Sequence, residues 1–424
     1  RKKFNSRYKF IKKYIKIFYM KKTLYGLPKK VIFCKKTLMS NQRPSSTQEF
    51  SHKSLEKKNT ITFDKKGISE SWHYAQQKKK INFEKRENEL LKLLDKHRGK
   101  HGEFDCVVPG SGGKDSCYAS HMLKYKYGMN PLTVTWPPIL YTNYGYKNFK
   151  NWISSGDFSN ISARRDEGTM IKLTKLAVMN LMHPFQTFML GQKNYPIQIA
   201  LKKNIPLVFY GENEAEHGNP IADNKSSLRD KSYFTYKNID SVYLGGTSIK
   251  DLHNNYNIKK KDLDIFMPAK YEEINKKKIE VHYLGYYLNW VPQETYYYSV
   301  ENCGFIPRPF RTQGTYSKYN SIDDKIDDLH YYTTFIKFGI GRTTYDASQE
   351  IRNNHLNYEE GKKLIKKYDG EFPDIYFNEI LSYLGIKKND FFKRLNKFRP
   401  WHLWKKEKNE WKLRYTANKD GTDD

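Results

Sequence analysis

The segment Ser111–Ser116 reads Ser-Gly-Gly-Lys-Asp-Ser, and its residue types are those that bind phosphate groups. Gly112, Gly113 and the preceding Gly110 allow backbone N–H groups to converge on an anion. The two serine hydroxyls and the Lys114 ammonium add further donors. The spacing is not that of a Walker A loop, which has four residues between its first glycine and Gly-Lys-Ser/Thr. The segment therefore predicts a phosphate-binding loop of a different kind.

Acidic side chains follow a predicted strand at residues 206–210. Gly211, Glu212 and Glu216 come just beyond its carboxyl end, where ligands bind in open α/β sheets. Glu212 and Glu216 have the hard oxygen atoms that hold Mg²⁺ through water, and they also suit the orientation of a substrate amine. A solvated acidic loop is the alternative interpretation.

Two cations flank a glycine-containing turn nearer the carboxyl terminus. Lys337 and Arg342 predict a site for a leaving group such as pyrophosphate, whose negative charge grows as its bond breaks. Asp346 and Glu350 are four residues apart and therefore share one face of the helix predicted to follow. They bind substrate there, or they stabilise the helix as an ordinary surface pair.

The segments around the glycine-rich loop predict an α/β fold with a parallel sheet. The loop lies between an apolar strand at 104–109 and a helix that ends near Gly128, and a second strand follows at 131–135. Helices are predicted at 170–182 and 195–203, before the strand at 206–210. From about residue 251 onward the pattern is mainly helical.

The domain organisation predicted from these patterns has four parts. Residues 1–20 form a basic, aromatic extension that ends at Met20, a plausible protein start. They are expected to be disordered. Residues 21–100 form a small irregular module that ends in a linker helix at 81–94. Residues 101–250 form the loop-bearing α/β domain, and residues 251–424 form a mainly helical region.

Composition sets the outer limits on function. The chain has 424 residues, of which 38% are hydrophobic and 15% aromatic, and these values predict a folded protein. The net charge of +30 would suit a nucleic acid, but the lysines are spread along the whole chain, so no nucleic-acid partner is expected. The sequence contains no run of about 18 apolar residues, so no membrane span is predicted. Four scattered cysteines indicate a reducing, cytoplasmic location.

The loop resembles the pyrophosphate loop (PP-loop) of the ATP pyrophosphatases, which split ATP between its α and β phosphates. With PLVFYGENEAEHGN at 206–219 and HYYTTFIKFGIGRTTYDASQEIR at 330–352, the chain resembles the N-acetyl sugar amidotransferases from about residue 30 to 413. These bacterial enzymes convert an acetamido group of a sugar into an acetamidino group. They act in the synthesis of lipopolysaccharide, O-antigen and the pseudaminic or legionaminic acids of flagellin glycosylation.

The resemblance implies a role for each candidate residue. Ser111, Gly112, Gly113, Lys114 and Ser116 are expected to bind the β and γ phosphates of ATP, with Gly211 nearby. Asp115 is expected to hold Mg²⁺, Lys337 and Arg342 to hold the pyrophosphate, and Glu212 or Glu216 to assist proton transfer. The substrate is expected to be an acetamido sugar or nucleotide sugar.

No cysteine lies in a context that suits a glutaminase nucleophile, so ammonia is expected from a separate glutaminase with a cyclase-like channel subunit. Members of the family commonly begin with two CxxC pairs that resemble a zinc ribbon. The matching positions here read Cys34-Lys-Lys-Thr37 and Ser69-Glu-Ser71-Trp72, so zinc is not expected. The alternative function is a tRNA-modifying enzyme with the same loop, which thiolates or adenylates a base.

Overall fold

Five parallel strands form the central sheet of this computed structural model, which describes residues 23–45, 57–213, 216 and 225–417. The sheet order is β3-β2-β1-β4-β5. The strands are β1 Cys106–Pro109, β2 Pro131–Thr135, β3 Asn160–Ser162, β4 Leu207–Tyr210 and β5 Glu280–Tyr283. Every residue of β1 and β2 is buried, as expected for strands covered by helices on both faces.

Helices surround the sheet and continue into the C-terminal region. They are α1 Glu70–Lys78, α2 Phe83–Asp95, α3 Lys114–His121, α4 Asn143–Ser155, α5 Glu167–Leu181, α6 Gln186–Lys203, α7 Ile249–Tyr256, α8 Lys260–Asp264, α9 Tyr271–Lys276, α10 Leu284–Tyr287, α11 Pro292–Cys303, α12 Asp327–Phe338, α13 Arg342–Arg352, α14 Tyr358–Tyr368, α15 Asp374–Leu384 and α16 Lys388–Lys397. A π-helical turn, Met122–Lys126, extends α3. An antiparallel hairpin of β6 Trp404–Glu407 and β7 Glu410–Leu413 closes the described chain.

The predicted α/β class is confirmed, and so is the mainly helical C-terminal region. The predicted sheet was incomplete, because β5 comes from residues 280–283, beyond the boundary placed at 250. The segment Glu280–Tyr283 is short and alternates charged or polar with apolar residues, as an edge strand does, so it lacks the apolar run by which β1 and β4 were recognised. No helix among the described residues is long and apolar enough to cross a lipid bilayer.

Local sequence explains where several helices begin. The Asn82 side chain accepts from the backbone N–H of Lys85 and caps α2. This helix, Phe83–Asp95, corresponds to the linker helix predicted at 81–94. The Asp166 side chain caps α5 by accepting from the N–H of Thr169. Residues 1–20, which were predicted to be disordered, lie outside the described residues. Glu214, which follows β4 between Glu212 and Glu216, also lies outside them.

The N-terminal module has little regular structure. Isolated antiparallel bridges join Phe33 to Ser40, Pro44 to Thr60 and Phe63 to Ser69, and α1 follows the last of these bridges. Its apolar residues Leu27, Val31 and Phe33 belong to the same hydrophobic core as β1 and β2. The module is therefore packed directly against the α/β region.

Candidate active site

The glycine-rich loop lies where the strand order of the sheet reverses, between β1 and β4. Gly112 has a φ of +87°, and a Cβ atom at this position would lie 2.7 Å from the carbonyl oxygen of Asn148. Gly113 is the N-cap of α3, and a Cβ atom there would meet no heavy atom within 4 Å. The loop thus turns tightly against α4 and leaves space at the positive end of α3, where an anion is stabilised.

Lys114 and Asp115 form an ion pair in the first turn of α3. The Lys114 ammonium donates to both carboxylate oxygens of Asp115, at Nζ–Oδ distances of 2.8 and 2.7 Å. Trp290 Nε1 also donates to Asp115 Oδ1, at 2.9 Å. The Asp115 side chain keeps 31% of its surface exposed, whereas Lys114 keeps 8%. Asp115 therefore presents a charged oxygen group to open space beside the loop.

The two serines of the loop already donate their hydroxyl protons within the protein. Ser111 Oγ donates to Asp323 Oδ2 at 2.8 Å, and Ser116 Oγ donates to the Gly113 carbonyl oxygen at 2.9 Å. Burial raises the pKa of Asp323, and the hydrogen bond from Ser111 acts in the opposite direction. A phosphate bound through either hydroxyl must replace its present acceptor.

The loop after β4 contacts the glycine-rich loop directly. A Cβ atom at Gly211 would lie 2.4 Å from the carbonyl oxygen of Asp115. The Glu216 carboxylate accepts from Lys78 Nζ of α1 at 2.5 Å, and the Glu216 carbonyl oxygen accepts from Arg352 Nη2 at 2.7 Å. Glu216 thus ties the N-terminal module and the C-terminal region to this loop, and its carboxylate is paired with a cation.

Arg342 and Lys337 occupy different positions beside the loop. Arg342 begins α13, where its Nε donates to Asp346 Oδ1 at 2.8 Å and its Nη1 donates to the Tyr331 hydroxyl at 3.0 Å. Lys337 lies in the last turn of α12 with 1% of its surface exposed, and its Nζ donates to the Leu181 carbonyl oxygen at 2.8 Å. Lys337 is therefore a buried cation.

Asp346 and Glu350 do not form a surface pair. Asp346 is 6% exposed and also accepts from Thr315 Oγ1 at 2.6 Å. Glu350 accepts from the Tyr316 hydroxyl at 2.9 Å. Burial, with a contribution from the Asp346 charge, raises the pKa of Glu350 to about 7. Both carboxyl groups belong to the interior that surrounds Arg342.

Three cavities meet at this edge of the sheet. The loop cavity, of about 210 Å³, has walls that include Gly110, Ser111, Trp136, Tyr210, Gly211 and Arg229. The arginine cavity, of about 230 Å³, has walls that include Arg43, Lys114, Tyr319, Arg342, Asp346 and Arg352. The histidine cavity, of about 260 Å³, has walls that include Lys58, His183, Lys193, His330, Lys337 and Phe338.

Shared residues show that the cavities are neighbours. Gly113, Asp115 and Glu212 line both the loop cavity and the arginine cavity. Arg342 lines the arginine cavity and the histidine cavity, and Lys193 lines the histidine cavity and the loop cavity. The fold thus brings the glycine-rich loop, Glu212 and Arg342 onto one continuous site. It places Lys337 on the histidine cavity instead, which the loop does not line.

Several residues of the site had no signal in the sequence that assigned them a role. Trp290 lies in a segment that the resemblance covers, yet only the structure shows its bond to Asp115. Asp323 supports the loop through Ser111 from 212 residues away. Arg43 and Lys193 were two among many scattered basic residues. A lysine or arginine in so basic a chain becomes informative only when its position is known.

The donors around the loop fit a nucleoside triphosphate with Mg²⁺. Glycine removes the Cβ atom that would fill the space in front of α3, and Lys114 and Arg342 supply positive charge on the wall of the arginine cavity. The described residues contain no cluster of three or more metal-binding side chains. Mg²⁺ commonly needs only one or two carboxylates together with substrate phosphates, and Asp115 suits that role.

The parallel sheet, with the Ser-Gly-Gly-Lys-Asp-Ser loop between its first strand and α3, agrees with the resemblance to the PP-loop ATP pyrophosphatases that the sequence predicted. Residues 313–417 match the family "LPS biosynthesis protein WbpG-like, C-terminal domain". This match confirms, for these residues, the resemblance to proteins of lipopolysaccharide biosynthesis that the sequence predicted. It covers α12 to α16 and the final hairpin, and so it includes Lys337 and Arg342.

Other similarities are more limited. An uncharacterized protein of Methanocaldococcus jannaschii is 42% identical over 53 residues, which is 12% of this chain and 19% of that protein. The chain thus spans about a fifth of the length of this curated relative. NMN synthetase from Francisella tularensis is 14% identical with a TM-score of 0.25, covering 46% of this chain and 81% of its own. The tRNA thiolase NcsA from Methanococcus maripaludis, solved with its 4Fe-4S cluster, is 11% identical with a TM-score of 0.29, covering 70% and 84%. At these TM-scores neither likeness supports a conclusion about this chain.

Proposed function

We propose that this protein is an ATP-dependent N-acetyl sugar amidotransferase, which converts an acetamido group of a sugar into an acetamidino group for a bacterial surface polysaccharide or flagellar glycan. The observation that carries this proposal is that Asp115 lines both the loop cavity and the arginine cavity, and that Arg342 lines the arginine cavity as well. Arg342 lies in the region that matches a domain of lipopolysaccharide synthesis. These two observations support a site that combines phosphate binding with the modification of a sugar.

The proposed reaction activates an amide, whose carbon is a poor electrophile. The amide oxygen of the acetamido group attacks the α phosphorus of ATP, the bond to the β phosphate breaks, and pyrophosphate leaves. Ammonia then adds to the imidate carbon, and AMP leaves with the former amide oxygen. One nitrogen-bound proton is released overall, and the amidine remains in its protonated form. The negative charge grows first on the pyrophosphate, so a cation beside it lowers the barrier.

The residues have distinct proposed roles in this reaction. The backbone N–H groups of the loop and the Lys114 ammonium bind the β and γ phosphates, and Asp115 holds Mg²⁺, which neutralises phosphate charge when it is bound. Arg342 stabilises the leaving pyrophosphate from the wall of the arginine cavity. Glu212 lines both cavities and is the proposed proton acceptor. Glu216 is a weaker candidate because Lys78 already neutralises its carboxylate.

The cysteines bear on the source of nitrogen and on the alternative function. All four cysteines are buried, and burial is the main reason that the pKa of Cys117, close to the loop, lies well above its ordinary value. Nucleophilic attack on glutamine and sulfur transfer to tRNA both need an accessible thiolate. A separate glutaminase is therefore proposed as the ammonia source, and the amidotransferase is favoured over a tRNA thiolase.

The test is to incubate the full chain with ATP, Mg²⁺, an ammonium salt and a panel of acetamido sugars and nucleotide sugars. We expect AMP and pyrophosphate to form only with an acceptor, and mass spectrometry to show replacement of an amide oxygen by NH. The same sugars with a free amine in place of the acetamido group are the matched controls. Glutamine alone should support little product. AMP formation at the same rate with the free-amine sugars would exclude the proposed chemistry.

A further inference from the structure

The arginine cavity extends along α13, but the chemistry proposed above uses only the beginning of this helix. Arg342 is the first residue of α13 and Arg352 is the last, and both line the cavity. Ten residues of α-helix rise by about 15 Å. Gln349 lies between them and also lines the cavity, as do Gly113 and Lys114 of the glycine-rich loop. The end of α13 therefore faces the same space as the loop.

Arg352 is a buried cation in this wall. It is 5% exposed. Its Nε donates to the Ser348 carbonyl oxygen at 3.2 Å and its Nη2 donates to the Glu216 carbonyl oxygen at 2.7 Å, and both acceptors are neutral. Its Nη1 has no hydrogen-bond partner in the part of the chain that the structure describes. A buried charge is costly unless it is paired, so a ligand that brings an acceptor to Nη1 is favoured.

The carboxylates of the cavity wall do not remove this charge by pairing with it. Three of them pair with other cations: Glu216 with Lys78, Asp115 with Lys114 and Asp346 with Arg342. Burial has the largest effect on the pKa of Arg352 and lowers it, whereas the Glu216 charge raises this pKa and the Arg43 charge lowers it. Guanidinium groups in proteins are not deprotonated, so Arg352 stays charged. No described carboxylate forms an ion pair with it.

Gln349 supplies a second donor that lacks an acceptor. Its Nε2 is buried and has no hydrogen-bond partner among the described residues. Gln349 and Arg352 are three residues apart in α13, so their side chains are neighbours on one side of the helix. Buried donors in folded proteins are hydrogen-bonded as a rule, so two such atoms in one wall indicate a ligand rich in acceptor oxygens. A guanidinium group beside an amide favours an oxyanion.

We propose that Arg352 and Gln349 bind the β and γ phosphates of ATP and then hold the pyrophosphate that leaves. The proposal rests on the function proposed above, which supplies this leaving group. The cavity of about 230 Å³ is smaller than the roughly 300 Å³ at which pockets for drug-sized ligands begin, so it suits pyrophosphate better than a whole nucleotide sugar. Charge grows on the pyrophosphate as its bond breaks, and a charged donor then binds it more strongly.

The test measures binding by calorimetry on the full chain with Mg²⁺, without turnover. The probes are inorganic pyrophosphate, AMP, which lacks the two outer phosphates, and N-acetylglucosamine 1-phosphate, which represents an anionic acceptor. We expect Gln349→Met to bind pyrophosphate about tenfold more weakly than the parent protein, because a donor to a charged group is lost. Arg352→Met should lose more affinity, and Arg352→Lys, which keeps the charge, should lie between Arg352→Met and the parent. AMP should bind to every variant as it binds to the parent.

Arg164→Met is the matched control, because Arg164 is exposed and the same charge is lost. It should bind pyrophosphate like the parent protein. Gln349→Met decides the question if Arg352→Met does not fold, because the Gln349 Nε2 atom has no hydrogen bond in the described chain to lose.

The proposal would be overturned if the parent protein does not bind pyrophosphate, or if Gln349→Met binds it within about twofold of the parent. Equal losses in Arg164→Met, or equal losses for AMP, would also overturn it. Weaker binding of the sugar phosphate alone would assign Arg352 and Gln349 to the acceptor instead. Failure of every acetamido sugar to react, with the pyrophosphate results as expected, would overturn only the proposed function.

Discussion

Asp115 lies on the wall between the loop cavity and the arginine cavity, and it is bonded to a cation from its own helix. In that position its charge is balanced by Lys114 while the site is empty of substrate. Under the proposed function, the Lys114 ammonium would bind a phosphate of ATP and the Asp115 carboxylate would hold Mg²⁺, and these contacts would replace the present ion pair.

Asp115→Asn tests this role while preserving the shape of the side chain. We expect Mg²⁺·ATP to bind at least about tenfold more weakly, because a charged metal ligand is lost. ATP without Mg²⁺ should bind at least as tightly as to the parent protein, because the competing carboxylate on Lys114 is gone. Calorimetry with and without Mg²⁺ measures both affinities. Asp157→Asn, whose side chain is 97% exposed, is the control, and an unchanged Mg²⁺ dependence in Asp115→Asn would contradict the role.

Lys337→Met separates two roles for the buried lysine. One is the role that the sequence predicts, in which Lys337 holds the leaving pyrophosphate together with Arg342, and both residues line the histidine cavity. The other is a purely structural role. For the first role we expect a rate of AMP formation at least about tenfold lower, while the affinity for Mg²⁺·ATP stays the same. Unfolding should also become easier by about 1–3 kcal/mol, because the Leu181 carbonyl oxygen loses this donor. An unchanged rate of AMP formation in a folded variant would contradict the pyrophosphate role.

At the scale of elements, the site depends on the close approach of two connections. The loop after β1 and the loop after β4 touch where the strand order reverses, and glycine is the residue that permits this at position 211. Gly113, at the start of α3, instead borders open space. The two glycines therefore have different physical reasons to lack a side chain.

Gly211→Ala and Gly113→Ala should give different results. The added methyl group at 211 lies 2.4 Å from the Asp115 carbonyl oxygen, so we expect a loss of stability of about 1–3 kcal/mol together with weaker nucleotide binding. At Gly113 the φ of −71° suits alanine, so stability should change by less than about 0.5 kcal/mol. Nucleotide binding should still weaken, because the methyl group occupies the space in front of α3. Denaturant unfolding and calorimetry distinguish the two cases, and equal stability losses would contradict this account.

The N-terminal module holds a buried polar cluster of Cys34, Thr37, Ser69 and Ser71. Three of these residues occupy positions that match the cysteine pairs of the amidotransferases, and Trp72 occupies the fourth position. The Ser69 backbone N–H donates to Cys34 Sγ at 3.3 Å. The Ser69 hydroxyl oxygen lies 3.4 Å from that of Thr37 and 2.9 Å from that of Ser71. Hydrogen bonds thus connect the same two turns that two cysteine pairs would connect through a metal ion. One thiol with three hydroxyl groups is a poor donor set for structural zinc.

We expect the purified chain to contain far less than one zinc ion per molecule, as measured by plasma mass spectrometry. A strong chelator should leave its melting temperature unchanged, because no metal contributes to folding. Reconstitution with zinc in the presence of reductant, followed by desalting, is the control for metal lost during purification. Retention of one zinc ion per chain after desalting would contradict the prediction.

At the scale of the whole molecule, the site is assembled from all three regions of the chain. Lys78 of the N-terminal module bonds to Glu216 and to the Trp290 carbonyl oxygen, both at 2.5 Å. Arg352 of the C-terminal region bonds to the Glu216 carbonyl oxygen. These hydrogen bonds connect the N-terminal module and the C-terminal region to the loop after β4. The three regions are therefore expected to unfold together rather than one at a time.

Buried carboxyl groups predict how stability depends on pH. Burial raises the pKa of Glu350 from 4.5 to about 7, so the folded state holds this proton more tightly than the unfolded chain does. The resulting stability is fully present below about pH 4.5 and is lost as the pH rises to about 7. Glu350→Gln removes this dependence and still accepts from Tyr316. The melting temperature of the variant relative to the parent should therefore rise between pH 4.5 and 7.5.

Thermal unfolding of both proteins at several pH values in that range measures the difference. The net charge, +30 at pH 7, changes with pH almost equally in the two proteins. Its effect on the melting temperature therefore cancels when the two proteins are compared at the same pH. Glu379→Gln is a suitable control, because Glu379 is half exposed and pairs with Lys325 at the surface. If the difference in melting temperature between Glu350→Gln and the parent protein stays constant with pH, the raised pKa of Glu350 is contradicted.

The sequence by itself determined the loop and the strands that flank it. Buried parallel strands are continuous apolar runs, and glycines that approach an anion have a recognisable spacing, so both signals are local. The strands predicted at 104–109, 131–135 and 206–210 are therefore confirmed, with the bounds Cys106–Pro109, Pro131–Thr135 and Leu207–Tyr210. The resemblance to sugar amidotransferases was also contained in the sequence, and the domain match at 313–417 supports it.

Only the tertiary structure decided which distant residues share the site. Ser111 and Asp323 are 212 residues apart, and Lys78 and Glu216 are 138 residues apart. No local pattern encodes such pairs, because each depends on how helices pack around the sheet. The same reason explains why no local pattern shows that Lys337 and Arg342 line one cavity, the histidine cavity, or that Arg342 also lines the arginine cavity. It also explains β5, an edge strand with a weak apolar pattern that is fixed by pairing with β4.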